Sequence, residues 1–507
     1  MSATSIDSLL AHLPETSSSQ PIFNPATGKK IYDLPQLSTL EVQAAFAEAR
    51  KFQDYWASYP VLERSSALLK LHDKLLDAQE QLLDLLQLET GKSRAHAFEE
   101  FAGAVGAARY FAKLAPKALA RKSTKPGVPL LTKTYIEQAP KGVVGVITPW
   151  NYPLALTMLD VLPALVSGNA VIHKIDNQTA LTALFARHLA VEAGIPAAAW
   201  TIVVGEGSEI GNAVTDNADY VAFTGSTATG RKVAQRAASR LIGFSLELGG
   251  KNPMIVLEGA NLKRAAELAV AGAFGSAGQL CVAIERVYVP NHSKADFLKL
   301  VGTKTASLAV GRSNDFTIDI GSLGGKPQLD RISGFIDDAV ENGATLVAGG
   351  HPIPAEGPYF FEPTVFTDVP AAARLARQEV FGPVIAVEGY DTIEEAIEMA
   401  NDTEYGLNAS VVGPKREAMR VASKLMAGSV NINEGFRATF ASMESPMGGM
   451  KHSGFGRRNG VDGLLRFTES RTVGIASGLL RLPSRSKDYI RMAPLMVTML
   501  KLLRRLP

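Results

Sequence analysis

The chain has 507 residues, 46% of them hydrophobic and 20% charged, with a formal net charge of +2. Single cores stop growing near ~250–300 residues, so this length predicts more than one large domain. No long block of like charge precedes the C-terminal tail, which argues against an electrostatic stripe for nucleic acid and leaves small molecules as the expected partners.

The N-terminus, residues 1–20, is polar and serine-rich and is expected to be loosely ordered. It has neither the basic start nor the apolar run of a secretory signal. Nowhere do ~18 consecutive apolar residues occur, so no transmembrane helix is expected, and a reducing cytoplasmic location fits. Ser38 followed by Glu41 reads as a capping box, and behind it Ala45, Phe46, Ala49, Phe52 and Trp56 recur at helical spacing. Helix is expected to continue through 60–90 and again over about 97–120.

From residue 140 the texture changes. Gly142–Thr148, Ala170–His173, Thr201–Val204 and Tyr220–Phe223 are short apolar runs rich in β-branched residues, separated by helical patterns over 178–193 and 208–215. Such alternation predicts parallel βαβ units. A second region of this kind runs from about 254 to 435, with candidate strands Met254–Leu257, Glu285–Val289, Thr345–Ala348, Val384–Glu388 and Ala409–Val412.

Some signals carry little. Gly91-Lys92-Ser93 resembles the end of a phosphate-binding loop, but the position that needs the first glycine is Leu86, and the surroundings read as helix. Gly205, Gly207 and Gly211 nearly make a dinucleotide fingerprint, with one residue too many. The eight histidines lack metal-ligand spacing and read as structural or surface residues, so no metal site is expected. Cys281 is the single cysteine, which excludes an intramolecular disulfide and a cysteine-rich metal site.

Three segments carry chemistry together: Thr148-Pro-Trp-Asn-Tyr-Pro153 just after a strand, Leu246-Glu-Leu-Gly-Gly-Lys-Asn-Pro253, and Gly278-Gln-Leu-Cys281. Phe223-Thr-Gly-Ser226, Glu362-Pro-Thr-Val365, Glu379-Val-Phe-Gly-Pro383 and Ser445-Pro-Met-Gly-Gly449 accompany them. In this order and at these separations, from about Phe23 to about Thr472, the sequence resembles the aldehyde dehydrogenase superfamily. The resemblance implies an α/β fold with a Rossmann-like cofactor domain (1–121 and 141–248, with 453–467 returning to it) and an α/β catalytic domain (249–452). It also implies a small β oligomerisation hairpin (122–140 and 468–476). Homodimers or homotetramers are expected.

The chemistry the resemblance implies is oxidation of an aldehyde to an acid through a thiohemiacetal and a thioester. A thiolate is a good nucleophile toward a carbonyl carbon, and the resulting oxyanion needs donors where charge develops. Cys281 is then the nucleophile, Asn151 and the Cys281 backbone N–H the donors, and Glu247 the base that activates water for thioester hydrolysis. A glutamate at 247 also favours hydrolysis over transfer to coenzyme A. A non-enzymatic structural or binding member of the family would be expected to lose these residues.

For the cofactor, the resemblance implies Thr148, Pro149, Trp150, Lys174, Asn177, Gly207, Gly225, Ser226, Leu248, Glu379 and Phe381. The turn and helix start at Phe223–Ser226 with Gly230 would meet the pyrophosphate. Lys174 would meet the adenosine ribose, and Glu379 and Phe381 the nicotinamide ribose. Many NAD-preferring relatives carry a glutamate where this chain has Asn177. An amide does not repel a 2′-phosphate, so NADP is favoured, with NAD as the alternative.

For the substrate, the whole chain is most similar to a bacterial branch of NADP-dependent succinate-semialdehyde dehydrogenases, through Leu241-Ile-Gly-Phe244, Gly278-Gln-Leu-Cys281 and Pro446-Met-Gly-Gly-Met450. Succinate semialdehyde is therefore the expected substrate. The two arginines that bind the substrate carboxylate in better-characterised semialdehyde enzymes are Leu159 and Gly275 here, so a less polar aliphatic or aromatic aldehyde is the alternative. Tyr152, Leu159, Gly275, Leu280 and Ser445 are the candidate substrate-pocket residues, Leu280 standing where the family more often has Thr, Ser or a β-branched residue.

The tail, 485–507, combines Arg485, Lys487, Arg491, Lys501, Arg504 and Arg505 with Ile490, Met492, Leu495, Met496, Val497, Met499, Leu500, Leu502 and Leu503. Pro494 is expected to start a helix there. The tail reads as a segment that packs on protein and helps assembly, the alternative being a membrane-surface helix.

Overall fold

The computed structural model describes residues 6–126, 132–476 and 484–504; the hairpin residues 127–131, and Arg505 with the last two residues of the tail, lie outside them. The chain divides into two compact units: residues up to Ala118 together with Pro140–Glu469, and Leu119–Ala139 together with residues from Ser470 on.

In the larger unit the helices begin where the sequence signals them. The Ser38 side chain accepts from the Glu41 N–H and the Glu41 carboxylate accepts from the Ser38 N–H, opening the helix Thr39–Ser58 with both ends of a capping box satisfied. Helices Val61–Asp77, Gln79–Thr90 and Arg94–Ala118 follow. Gly91 ends the helix Gln79–Thr90 at φ +72°, and a Cβ there would lie 1.9 Å from the Ser322 hydroxyl, so Gly91-Lys92-Ser93 is a helix cap and connection between two helices. The N-terminal expectation is corrected: Ile6–Leu10 is helical with Leu9 buried, and Ser19–Phe23 is a strand paired antiparallel with Lys30–Pro35. Polar composition concealed a segment held by its backbone pairing.

Two sheets follow. One has six strands in the spatial order Gly454–Phe455, Gly243–Glu247, Tyr220–Thr224, Val143–Ile147, Ala170–Lys174, Trp200–Val203, all parallel except the first. The other has seven, in the order Thr345–Ala348, Thr364–Thr367, Val384–Tyr390, Ile284–Pro290, Asn252–Val256, Asn408–Val412, Ser429–Ile432, with only its Thr345–Ala348 edge antiparallel. Helices cover both faces of the second sheet. Met254, Val256 and Val287 face one core with Phe297, Phe335 and Ile332, while Ile255, Ala409 and Val411 face another with Ala396 and Ala418. Burial on both faces explains why these strands read as continuous apolar runs. The candidate strands named from sequence match to within one or two residues.

In the smaller unit, Lys122–Thr124, Thr132–Pro140 and Thr468–Ala476 form a three-stranded sheet in which Glu137 pairs with Arg121 and Arg471. The helix Tyr489–Leu503 starts five residues before Pro494, which corrects the expected start; Pro494 lies inside the helix, where it leaves the Ile490 carbonyl without its i→i−4 donor. Among the described residues no helix is long and apolar enough to cross a membrane.

Candidate functional site

In-register pairing brings candidate residues to the carboxyl ends of adjacent parallel strands, where open α/β sheets place their ligands. Ile147 pairs with Lys174 on one side and Phe223 on the other, and Thr224 pairs with Glu247. The segment Thr148–Tyr152 leaves the central strand and turns into the helix Pro153–Val166, all of it buried.

Cys281 sits on the loop before the strand Ile284–Pro290. Asn252, on the neighbouring strand, donates its side-chain amide to the carbonyls of Cys281 at 2.8 Å and Ala283 at 2.7 Å. Gly278 adopts φ +69°, and a Cβ there would lie 2.0 Å from the Gly382 carbonyl oxygen, so the loop can approach 382 only with glycine. Ser276 and Ala277 are also left-handed, at φ 50° and 55°, a local strain concentrated beside the thiol. The Asn151 amide donates to the Gln279 carbonyl at 2.9 Å. The Tyr152 hydroxyl and the Ser276 hydroxyl share a hydrogen bond of 3.0 Å.

Cys281, Asn151 and Tyr152 line a cavity of about 280 Å³. Cys281, Glu247, Asn151, Thr224, Gln328, Arg331 and Arg458 supply its polar wall; Trp150, Tyr152, Leu156, Leu280, Phe440 and Met447 supply its apolar wall. Pro149, Gly225, Ser226, Leu248, Glu379 and Phe381 line it as well. Both carboxylate oxygens of Glu247 are buried, with no hydrogen-bond partner among the described residues. Burial pushes Glu247 up to about 7, against the opposing pull of Arg458 and Arg466. Burial, then the Glu247 and Glu379 carboxylates, push the Cys281 thiol up to about 12. A proton acceptor and a neutral thiol therefore face one cavity, an arrangement suited to nucleophilic attack coupled to proton transfer.

Second contacts fix the walls. The Glu379 carboxylate accepts from the Gly250 N–H at 2.8 Å. Buried Lys251 pairs with Glu285 at 2.7 Å, and Glu285 in turn accepts from the N–H groups of Val380 and Phe381. Arg458, lining the cavity, donates to Asp160 at 3.0 and 2.6 Å and to Thr224 at 2.6 Å. Burial alone would raise Asp160; Arg458 and Arg466 hold it below the usual carboxylate range.

Several expected residues lie elsewhere. Thr148 is buried, its hydroxyl 2.8 Å from His173 Nε2. Lys174, Asn177 and Gly207 belong to a neighbouring group: Asn177 accepts from the Gly205 N–H at 3.0 Å and its amide lies 2.6 Å from Gln20, 3.0 Å from Gln36 and 3.2 Å from the Glu206 carboxylate. The lack of a carboxylate at 177 is thus not a lack of negative charge there, which corrects the electrostatic premise behind the cofactor expectation. Lys174 is 7% exposed, and no hydrogen bond or ion pair engages its ammonium among the described residues. Leu159 is buried in its helix, and Gly275 faces the ring of His96, a Cβ there meeting Nε2 at 3.5 Å. Ser445 is exposed, bonded to Ser442, and does not line the cavity; its neighbour Met447 does. Sequence reasoning missed Leu156, one turn beyond Tyr152, and Phe440, Gln328, Arg331 and Arg458, which no local pattern marks. Among the described residues no cluster of His, Cys, Asp or Glu could hold a metal ion.

Comparison with known proteins agrees on one family. The model described as "Aldehyde dehydrogenase family" matches residues 12–473. A Mycobacterium bovis protein named "Putative succinate-semialdehyde dehydrogenase (NADP+) 2" is 47% identical over 451 residues, 89% of this chain and 87% of that one. A Mycolicibacterium smegmatis relative with the same activity in its name is 48% identical over 456 residues, 90% and 88% of the two chains. Among solved structures, an Escherichia coli NADP-dependent enzyme has a TM-score of 0.87 at 33% identity, covering 90% of this chain and 95% of its own. Betaine aldehyde dehydrogenase from Staphylococcus aureus, in complex with NAD+, has a TM-score of 0.89 at 31% identity, covering 95% and 98%.

Proposed function

The chain belongs to the aldehyde dehydrogenase family, and on that premise we propose that it oxidises an aldehyde to a carboxylic acid through a covalent bond to Cys281. The observation that carries the reading is that the chain's one thiol, an unpartnered buried carboxylate and a tethered amide line a single cavity.

Sγ of Cys281 attacks the carbonyl carbon and its proton passes toward Glu247. The carbonyl electron pair moves onto oxygen, where the second N–H of the Asn151 amide and the Cys281 backbone N–H stabilise it. Collapse of that oxyanion expels the hydrogen with its electron pair and leaves a thioester on Cys281. A bound nicotinamide dinucleotide supplies the hydride acceptor. Glu247, its proton released to solvent, then takes a proton from water as the water oxygen attacks the thioester. The C–S bond breaks, the acid departs and the thiol is restored.

The donor set suits such a cofactor. Lys174 offers an unengaged ammonium, Ser226 caps the helix Thr227–Ser239 whose first-turn N–H groups suit a pyrophosphate, and Gly225, Leu248, Glu379 and Phe381 line the adjoining cavity. Asn177 and Gly207 complete the adenosine end in this reading. We assign the six-stranded sheet to the cofactor, the seven-stranded sheet to presenting Cys281, and the three-stranded sheet to assembly of a homo-oligomer. The relatives' names favour NADP, and a solved relative holds NAD+, so both are expected to serve, NADP better.

For the substrate, the cavity wall best supports an aldehyde with an apolar body. Of its two arginines, Arg458 is paired with the Asp160 carboxylate and bonded to Thr224, whereas Arg331 donates only to the backbone carbonyls of Glu379 and Val380 and keeps its charge. A buried substrate carboxylate would need a free cationic partner. Succinate semialdehyde is the second reading, favoured by the relatives' names. Comparing kcat/KM for succinate semialdehyde with that for hexanal and benzaldehyde decides between them: a preference of an order of magnitude or more for the semialdehyde overturns the apolar reading. No reduced cofactor from any aldehyde overturns the function itself.

A further inference from the structure

Gly91-Lys92-Ser93, which cannot be a phosphate-binding loop, delivers a lysine to the back of the site. The Lys92 side chain is 3% exposed and its partner Glu100 is fully buried. The Lys92 ammonium contacts three groups: the Glu100 carboxylate, the Asn151 carbonyl at 2.8 Å, and the face of the Tyr152 ring, 4.0 Å from its centroid. The other oxygen of Glu100 accepts from the N–H groups of Leu154 at 2.7 Å and Ala155 at 3.2 Å, the first turn of the helix Pro153–Val166. One ion pair thus grips both sides of the turn that carries Asn151 and Tyr152. Gly91 fixes the lysine's approach, because its carbonyl accepts from the Ser322 N–H at 2.9 Å and its own left-handed backbone admits no side chain.

A buried ion pair of this kind is weak evidence for stability, since desolvating two charges costs about as much as their attraction returns. It does specify one geometry, because the ammonium has three contacts and both carboxylate oxygens are engaged. We infer that Lys92 and Glu100 are positioning residues for the reaction: they hold the 151–155 turn so that the free N–H of the Asn151 amide already faces the place where the oxyanion forms. The inference rests on the proposed role of Asn151. Pre-set donors need no reorganisation when charge develops, and a loosened donor forfeits much of that advantage.

The test is a double-mutant cycle read in a single turnover. Lys92→Met/Glu100→Gln removes both charges, while the introduced side-chain amide still has an oxygen for the Leu154 N–H; Lys92→Arg keeps the charge but moves the donors. The burst of reduced cofactor is followed after mixing with aldehyde, alone and combined with Asn151→Ala, with cofactor affinity by fluorescence quenching as the control for an intact fold. The expected result is a burst rate at least ~10-fold slower for Lys92→Met/Glu100→Gln and slower for Lys92→Arg, with cofactor affinity unchanged, and under ~2-fold further loss when Asn151 is already alanine. A wild-type burst in either variant overturns the proposal. So does an equal loss in both backgrounds, which would mark a purely structural pair. If Asn151→Ala itself leaves the burst unchanged, the role assigned to Asn151 fails instead.

Discussion

Asn151 donates one N–H of its side-chain amide to the backbone carbonyl of Gln279 at 2.9 Å, two residues ahead of Cys281. A primary amide has two such hydrogens, so the tether orients the second while leaving it free. Asn151→Ala is expected to slow thioester formation by about 10²–10³-fold, the usual cost of one oxyanion donor. Asn151→Asp should be at least as damaging, since a carboxylate accepts and repels the oxyanion. Single-turnover rates of cofactor reduction check both; a loss under about threefold in either excludes Asn151 as a donor.

Cys281→Ser should abolish turnover and leave cofactor affinity close to wild type. The serine hydroxyl is far harder to deprotonate, and it would sit where burial has already pushed a thiol up to about 12. Steady-state oxidation near the wild-type rate would remove Cys281 from the mechanism.

Glu247→Gln should slow the first turnover, because Glu247 accepts the Cys281 proton, and should slow thioester hydrolysis more. The expected trace is a burst of reduced cofactor followed by slow hydrolysis, and the wild-type hydrolytic rate should rise with pH through about 7 as Glu247 ionises. Equal losses in both phases would deny it a dedicated role in hydrolysis.

The same residue makes a prediction about stability. Burial raises Glu247 above its ordinary value of 4.5 to about 7, so the folded state binds its proton more tightly than the unfolded state. That contribution is complete below about pH 4.5 and is lost as pH rises through 7. Glu247→Gln should therefore stabilise the fold more at pH 8 than at pH 5, by a difference in unfolding free energy bounded at about 3 kcal/mol, read as a larger rise in melting temperature at pH 8. A larger gain at pH 5 would reverse the sign and refute the unpaired carboxylate.

Asn177→Glu should weaken NADP more than NAD. A second carboxylate would stand beside Glu206, now 3.2 Å from the Asn177 amide, and the two would repel a 2′-phosphate together. The ratio of kcat/KM for the two cofactors, wild type against variant, measures it; an unchanged ratio removes position 177 from cofactor choice.

Truncation after residue 484 should lower thermal stability or shift the oligomer on a sizing column. None of the described side chains of the helix Tyr489–Leu503 is buried, and Ile490, Leu495, Leu500 and Leu502 are at least 60% exposed, which makes an apolar patch awaiting protein. Unchanged assembly together with lost binding to anionic vesicles would favour a membrane surface instead.

Local patterns made much of this molecule legible. Buried parallel strands must be β-branched and apolar, so the runs at Val143–Ile147 and Ile284–Pro290 stood out, and Ser38 with Glu41 marked a helix start because capping is chemistry between near neighbours. Cys281, Glu247 and Asn151 stood in signature segments. What escaped depends on distance along the chain. Asp160 and Arg458 are 298 residues apart and pair only in the fold. Lys92 looked like part of a false motif, since nothing near it indicates the carbonyl of Asn151, 59 residues on. Ser445 looked like a pocket residue from its segment, yet Met447, two residues on, is the one that lines the cavity.

The buried bond between Asp160 and Arg458 also sets an order of assembly during synthesis. The helix carrying Asp160 emerges early, but its counter-charge lies in the last tenth of the sequence, just after the strand Gly454–Phe455 that closes the six-stranded sheet beside Glu247. Until that stretch leaves the ribosome, a partly folded nascent chain carries a carboxylate that must stay wet or protonated, and its sheet keeps an open edge. Products of premature termination before residue 458 should therefore be degraded or aggregate rather than persist as half-built enzymes that could trap cofactor without turning it over.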